Sequence, residues 1–517
     1  MSILTVILLL PLLALAALAA WPSRQRVMFQ AVTIGITFVE LVLASLAAWQ
    51  FDVSAAQSFQ FVQKVPWIPS LGISFHVGVD GLSVGLVWMA TLVSFAAACA
   101  SWEIRERVKT FHLLLLLMNA GVLGAFASLD LFFFYIFHEL ALVPTFLMIG
   151  IWGRGGQRSY AAFKITLYLG LGSMVLLLGL LAVFFLAGQT TFDMVELAAQ
   201  ARQSPFPVAR QQAVFPLLLL GFGILASLWP FHTWAPLAYG AAPTPTAMLH
   251  AGALKKFGLY GLLRVALPLV PDGARDWMSV LAWLALGNLL FCGLVAVRQK
   301  ELDRLIGYSS VAHMGFIFLG IASGTALGIT GAAVVMVAHG MLAALSFGLS
   351  GHLYQQTRTL ELDRLGGLLR PMPFLGTALV MAMLAACGVP GFGNFPGELL
   401  VFFGSWPPRP AATAIAAAAA LVVGAVYALR AVRKALHGPL PDAWQAADDL
   451  SNPWRRLPFV LLLAGLIGLG CFPGPLVDRI QPAAAAIARP LESAPAPAAL
   501  IPLPAAALTR PPEEASR

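Results

Sequence analysis

Apolar runs long enough to cross a bilayer recur along the whole chain, separated by short polar loops. A helix needs about 20 such residues to span the hydrocarbon core, and on that criterion the chain offers about fourteen crossings. Lipid supplies no water to a free backbone N–H or C=O, so these runs restrict the chain to helices that satisfy their own groups. The expected fold class is all-α, a polytopic membrane protein. Composition agrees, since 59% of the 517 residues are hydrophobic and 10% are charged, far from the balance of a soluble domain. The first run, 3–20, has no basic residue before it and reads as a retained span, not a cleaved signal.

The runs fall into blocks. Residues 1–110 hold the first three helices and an external segment; 51–77, polar and β-branched with Pro66 and Pro69, is expected outside the membrane as a short hairpin or re-entrant piece. Residues 111–268 and 278–436 each hold five helices, 437–482 the last one, and 483–517 is an Ala/Pro-rich tail expected to be disordered. Loop charge gives the orientation. One side collects Arg24, Arg105, Lys109, Arg154, Arg298, Arg304, Arg430 and Lys434, while the other has few basic residues, Lys64, Arg202 and Arg275 among them. The richer side is expected to be cytoplasmic, and an even number of spans places both termini outside, in the cell inner (cytoplasmic) membrane. The net charge of +8 is therefore a topology signal and calls for no nucleic acid. Cys99, Cys292, Cys387 and Cys471 lie in or beside apolar runs without a CxxC pair, which argues against a metal or iron–sulfur site.

Against that background, the few ionisable residues inside spans carry the information, because charge at bilayer depth is costly and defaults to function. Glu139 sits mid-span in HELALVPTFLMIG; the alternative is a protonated carboxyl held for packing. Lys255 and Lys256 sit mid-span in the eighth run, with His250 one to two turns earlier. Adjacent helix positions differ by about 100°, so the two lysines cannot share a face. Snorkelling to an interface fits poorly at that depth. Glu398 follows GVPGFGNFPG, where glycine and proline break a helix; a helix N-cap role is the alternative. His313 and His339 read as relay members more than as core histidines, and Lys164 lies either at an interface or on the axis. A second break falls in WPFHTWAP, residues 229–236. Broken helices at depth occur where freed backbone is buried in protein or lines a cavity.

The two five-helix blocks also echo each other. Glu139 precedes Gly150, and His313 precedes Gly324, by the same eleven residues; Lys164 and His339 follow, and each block ends in a broken span. Five spans separate the units, so they insert with opposite orientation, the inverted-repeat pattern of ion-coupled transporters, with broken helices seven and twelve.

The motifs GVDGLS (78–83), FHELALVPTFLMIGIWG (137–153), PFHTWAP (230–236), APTPTAMLHAGALKKFGLYGLLR (242–264), RLIGYSSVAHMGF (304–316), MVAHG (336–340) and GFGNFPGE (391–398) resemble the antiporter-like membrane subunits of respiratory complex I, most of all the chain 4, or chain M, type. The resemblance covers residues 70 to 435. It implies a proton-translocating membrane-arm subunit of a NADH–quinone oxidoreductase, a translocase component that holds no redox cofactor itself. Quinone, FMN and iron–sulfur clusters would sit in partner subunits, and its own partners would be other membrane-arm subunits and the lipid bilayer. By resemblance Glu139 is the helix-five carboxylate, Lys256 the helix-eight lysine and Glu398 the helix-twelve carboxylate, with His313 and His339 on the central polar axis. One departure stands out. The family's helix-seven lysine lies seven residues before the motif histidine, here His232, and that position is Leu225. Lys255, Lys164 and His138 are the candidate substitutes. The alternatives are a subunit of a multisubunit Na⁺/H⁺ antiporter, the arm of a membrane-bound hydrogenase, and a structural arm subunit that pumps nothing.

Overall fold

A computed structural model describes residues 1–492. Among them twelve helices are long and apolar enough to cross a membrane. In chain order the helices are α1 (Ile3–Ala20), α2 (Arg26–Gln50), α3 (Val84–Ala100), α4 (Val108–Ala127), α5 (Leu131–Trp152), α6 (Arg158–Leu186), the short α7 (Met194–Gln203) and α8 (Val208–Leu225). There follow α9 (Trp234–Ala241), α10 (residues 244–269), α11 (Pro271–Arg298), α12 (Leu302–Ser323), α13 (Ala326–Thr357), α14 (Pro373–Ala386), α15 (Asn394–Ser405), α16 (Pro410–Leu436), α17 (Pro453–Cys471) and α18 (Gly474–Glu492). Two further apolar elements are irregular. Helix α10 carries π-turns at His250–Leu254 and Leu262–Ala266, and α14 and α15 are the halves of one interrupted helix. With these two elements the tally reaches the expected fourteen.

Helix α13 is the centre of the bundle, its whole apolar window buried. It crosses α10 where Gly252 faces Gly340; a Cβ on Gly252 would stand 3.0 Å from the Gly340 carbonyl oxygen. Small residues at a crossing let membrane helices approach closely, and this crossing brings the polar side chains of α10 within reach of those of α13.

Both expected breaks are present, and each has its backbone satisfied by a neighbour. Between α8 and α9 the chain unwinds over 226–233, with Ser227 at φ 62. Asn288 of α11 donates to the Ser227 carbonyl at 2.9 Å and accepts the Trp229 N–H at 2.8 Å. Trp234 Nε1 donates to the Ile224 carbonyl at 3.1 Å, covering the free end of α8. Between α14 and α15, Gly388 and Gly391 adopt φ 65 and 98, which glycine alone accepts without strain, and the Gly393 N–H donates to Leu466 of α17 at 2.8 Å.

The segment after α2 forms an antiparallel hairpin, β1 (Gln60–Ile68) and β2 (Ile73–Val79). It locks the entry of α5. Asp130 caps that helix through the Phe132 and Phe133 N–H groups and accepts the Ser74 N–H at 3.0 Å. Asp193, the cap of α7, pairs with Lys64 at 2.7 Å and His76 at 2.8 Å. Burial works to raise the Asp193 carboxyl, and the hydrogen bonds from His76 and Lys64 outweigh it, holding it at about 2. A depressed pKa stabilises above the unfolded value, roughly 3.9, and that support is lost as pH falls toward the folded value. Asp193→Asn is thus expected to cost roughly 1–3 kcal/mol of stability at neutral pH for the charged hydrogen bonds lost, and so to lower the melting temperature. It should also flatten the acid branch between pH 4 and 2, followed by thermal melts of the detergent-solubilised protein across pH; an unchanged acid branch would refute the pairing.

The C-terminal end departs from expectation. The last helix was expected over 437–482 with disorder from 483; instead α17 stops at Cys471, the chain turns at Phe472–Pro473, and α18 runs on to Glu492. Alanine is the best helix former, and Ile480, Ala484, Ile487 and Leu491 lie on one buried face. Arg479 donates to the Ala48 carbonyl of α2 at 3.2 Å, and Arg275 of α11 donates to the Pro490 carbonyl at 2.9 Å. Alanine content misleads here because it counts equally for a disordered tail and for a packed helix. The rest of the expected tail, 493–517, lies outside the described residues.

Candidate functional site

The polar residues of α10, α12, α13 and α15 meet in one file. Lys256 is fully buried, and its Nζ donates to the Ala251 carbonyl at 2.6 Å and to His339 Nδ1 at 2.9 Å. The Ala251 carbonyl lies in the π-turn His250–Leu254; such turns gather at functional positions because they re-aim side chains. The rings of His339 and His313 stand 5.3 Å apart between centroids. His313 Nε2 then faces Glu398 Oε1 at 3.9 Å. All four residues are at most 6% exposed.

Hydrogen-bond chemistry gives this file a direction. An ammonium has only donors, so whenever Lys256 holds its proton His339 Nδ1 accepts from it and carries its own proton on Nε2. A carbonyl only accepts, so the 2.7 Å bond from His313 Nδ1 to the Ser309 carbonyl fixes the His313 proton on Nδ1. That leaves His313 Nε2 as the ring nitrogen without a proton, facing Glu398. The carboxylate borders a cavity of about 20 Å³, room for about one water, lined also by Cys387 and Tyr427. Glu398 is the fifth residue of α15 and takes no backbone N–H, so the N-cap alternative fails.

Lys255 points elsewhere, as adjacency requires. Its Nζ lies 3.4 Å from Ser310 Oγ of α12 and 5.6 Å from the Tyr239 ring. His250 packs against Trp234 and Tyr239 of α9, with ring centroids 5.6 and 5.4 Å away. Lys255 and His250 therefore adjoin the break after α8, while Lys256 faces the histidines. Both lysines are at most 1% exposed, which removes snorkelling.

Glu139 stands apart from this file. It is half-buried on α5 and bonds Ser173 of α6, whose Oγ also bonds the Tyr135 hydroxyl at 3.2 Å. Among the described residues it has no ion-pair partner; neither Lys255, Lys164 nor His138 supplies one. Lys164 is half-buried over the rings of Tyr160 and Tyr168, at 5.9 and 5.8 Å, and the Tyr168 hydroxyl meets Thr233 at 3.2 Å, inside the same break. His138 stacks on Phe257 at 3.9 Å, and Phe257 on Phe134 at 4.4 Å, so α5 meets α10 through aromatic rings. Leu225 is buried at the end of α8, its Cδ2 3.4 Å from where a Cβ on Gly172 would stand. Gly172 also meets Ile224 and directly precedes Ser173, so the end of α8 packs on the turn of α6 that carries the residue holding Glu139. The sequence reading missed Ser173, whose only signal is a hydroxyl inside the apolar run of α6.

Known proteins agree with this architecture. The family model described as NADH:quinone oxidoreductase/Mrp antiporter, TM, matches residues 128–424. NAD(P)H-quinone oxidoreductase chain 4 1 of Picosynechococcus sp. is 36% identical over 481 residues, 91% of this chain and 89% of the relative. NAD(P)H-quinone oxidoreductase chain 4 2 of Trichodesmium erythraeum is 39% identical over 402 residues, 78% and 71% of the two chains. A chain of respiratory complex I from Thermus thermophilus superposes with TM-score 0.85 at 30% identity, covering 94% of this chain and 99% of that one. A chain of the Mrp complex from Dietzia sp. shares the fold at TM-score 0.82 and 22% identity, over 94% and 97%.

Proposed function

The chain belongs to the NADH:quinone oxidoreductase/Mrp antiporter transmembrane family, and from that membership we propose that it is the chain 4-type, proton-translocating membrane-arm subunit of a NADH–quinone oxidoreductase. The observation that carries this reading is the buried file of Lys256, His339, His313 and Glu398. Electron transfer belongs to partner subunits of the assembly, which would hold the quinone site, FMN and the iron–sulfur clusters. This chain answers them through conformation and charge.

In the proposed cycle, a change of charge on a neighbouring subunit alters the surroundings of half-buried Glu139. Lys256 then gives its proton to His339 Nδ1, His339 releases its Nε2 proton to His313 Nε2, and His313 passes that proton from Nε2 to the Glu398 carboxylate. Glu398 discharges through the cavity beside Tyr427 toward the outer side. The paired five-helix blocks act as an inverted repeat around this axis. The basic loops lie in the cytoplasm and both termini outside, with the chain in the cell inner membrane.

Gentle purification from native membranes, followed by NADH:quinone reductase assay and mass spectrometry of the co-purifying chains, tests the assignment. Peripheral flavin and iron–sulfur subunits with NADH-dependent activity are the expected result. Small hydrophobic partners without redox activity would transfer the chain to the cation/proton antiporters. Within the complex, Glu398→Gln is expected to lower protons moved per NADH while quinone reduction continues, read by ΔpH in proteoliposomes. Unchanged stoichiometry would remove Glu398 from the path. One observation favours a second reading, a structural arm subunit that does not pump: Leu225 stands where the family's lysine belongs.

A further inference from the structure

Helix α2 is apolar on its outer face and polar on its buried one. Its buried stripe reads Gln30, Thr33, Thr37, Glu40, Ala44 and Ala47, at alternating spacings of three and four. The facing helix α4 contributes His112 and Asn119, two turns apart and likewise buried. Asn119 Nδ2 donates to Glu40 Oε2 at 2.7 Å. Thr33 spends its hydroxyl proton on the Phe29 carbonyl at 2.8 Å, so the 3.0 Å contact with His112 is a donation from His112 Nδ1. That leaves His112 Nε2 without its proton.

Five buried polar atoms in this seam have no protein partner: both amide atoms of Gln30, His112 Nε2, Asn119 Oδ1 and Glu40 Oε1. Buried polar groups in native proteins are paired with protein or ordered water, and inside a membrane the cost of leaving them bare is higher still. A carboxyl at bilayer depth adds a titratable end to the series. One end of the stripe, at Gln30, lies about one turn from Arg26, which donates to the Trp102 carbonyl at 3.0 Å in the segment that leads into the basic loop before α4; beyond Glu40 the stripe closes with Ala44 and Ala47. Helix α3 packs between α2 and α10, with Val93 against Gly252 and Phe95 against Phe38.

We propose that the α2–α4 seam is a second, dead-end proton path, in which Glu40 takes up and returns protons through a hydrated file of Gln30, Thr33 and His112. The step is a proton transfer alone: hydronium in the file gives its proton to the Glu40 carboxylate, forming the neutral acid and leaving water. Because the far end is closed, the site stores protons on the basic-loop side and does not carry them across. Its use as a reserve rests on the translocating function proposed above; the exchange itself does not.

Infrared difference spectroscopy on the purified complex tests it. Glu40→Asp identifies the Glu40 carboxyl band by shifting it, and Glu40→Gln, which keeps the Asn119 contact, identifies it by removal if the first variant does not assemble. Gln30→Leu is expected to slow hydrogen–deuterium exchange of that band about tenfold, as losing one hydrogen-bonding step in the file requires. Exchange of the Glu398 band should not change. A Glu40 band that exchanges equally fast with Leu at 30, or no carboxyl band responding to either Glu40 variant, overturns the proposal. Failure of the translocating function would appear separately, as Glu398→Gln without effect on proton stoichiometry.

Discussion

Lys256→Met is expected to abolish this subunit's share of proton translocation, at least about a tenfold loss for each 1.4 kcal/mol added to the transfer barrier, while raising thermal stability. Methionine matches the lysine stem in length and fills the same buried space, but it carries no proton. Lys256 is 0% exposed, and a charge at the centre of a membrane helix costs roughly 2.5–3.5 kcal/mol on insertion scales. Replacing it by an apolar side chain removes that cost, and the bonds to Ala251 and His339 recover only part of it. Activity and stability therefore move in opposite directions, which a packing defect cannot produce. Lys256→Arg separates carrying a proton from holding a charge, since guanidinium does not deprotonate in proteins; it should pump no better than Met. Protons per NADH in proteoliposomes and the melting temperature of the complex are the two readouts. Full pumping by either variant would remove Lys256 from the relay.

How much of this arrangement was legible beforehand depends on the residue. The crossings followed from run length, and both breaks from WPFHTWAP and GVPGFGNFPGE, because backbone freedom is a local property of proline and glycine. The depth of Glu139, Lys256, His313, His339 and Glu398 followed from their place within apolar runs. Direction did not. That Lys256 and not Lys255 meets His339 depends on the π-turn His250–Leu254 and on the Gly252–Gly340 approach, and hydropathy records neither. Ser173 and Glu40 escaped notice for a related reason: one polar residue in a long apolar run lowers its average little, and only packing shows which stripe is buried. The helix Gly474–Glu492 is hidden by composition, because the alanines that dominate its second half dilute the Leu476, Ile480, Ile487 and Leu491 stripe that it buries.

Leu225→Lys is expected to create the ion pair that this chain lacks. The side chain at 225 leaves the end of α8 toward Gly172, one residue from the serine that bonds Glu139. An ammonium there is buried, and an unpaired buried charge is destabilising by about 3–5 kcal/mol. Glu139, on the helix that packs against α6 at Ser173, is the carboxylate this lysine is expected to pair with, and pairing would return most of that cost. The outcome therefore depends on residue 139. In the native background Leu225→Lys should leave the melting temperature nearly unchanged; in a Glu139→Gln background it should lower the melting temperature, because the unpaired-charge cost falls in full on stability. Such non-additivity is the signature of two groups in contact. Proton stoichiometry then decides what the native leucine means. A rise in protons per NADH for Leu225→Lys, absent when Glu139 is glutamine, would show that the native chain is a weakened pump whose Glu139 leans on Ser173 for want of a cation. Unchanged stoichiometry together with a coupled melting temperature would show that the pair forms and is not needed, so that proton transfer in this chain begins at Lys256. Additive melting temperatures would mean that position 225 does not reach Glu139, and the weakened-pump explanation would fall with it.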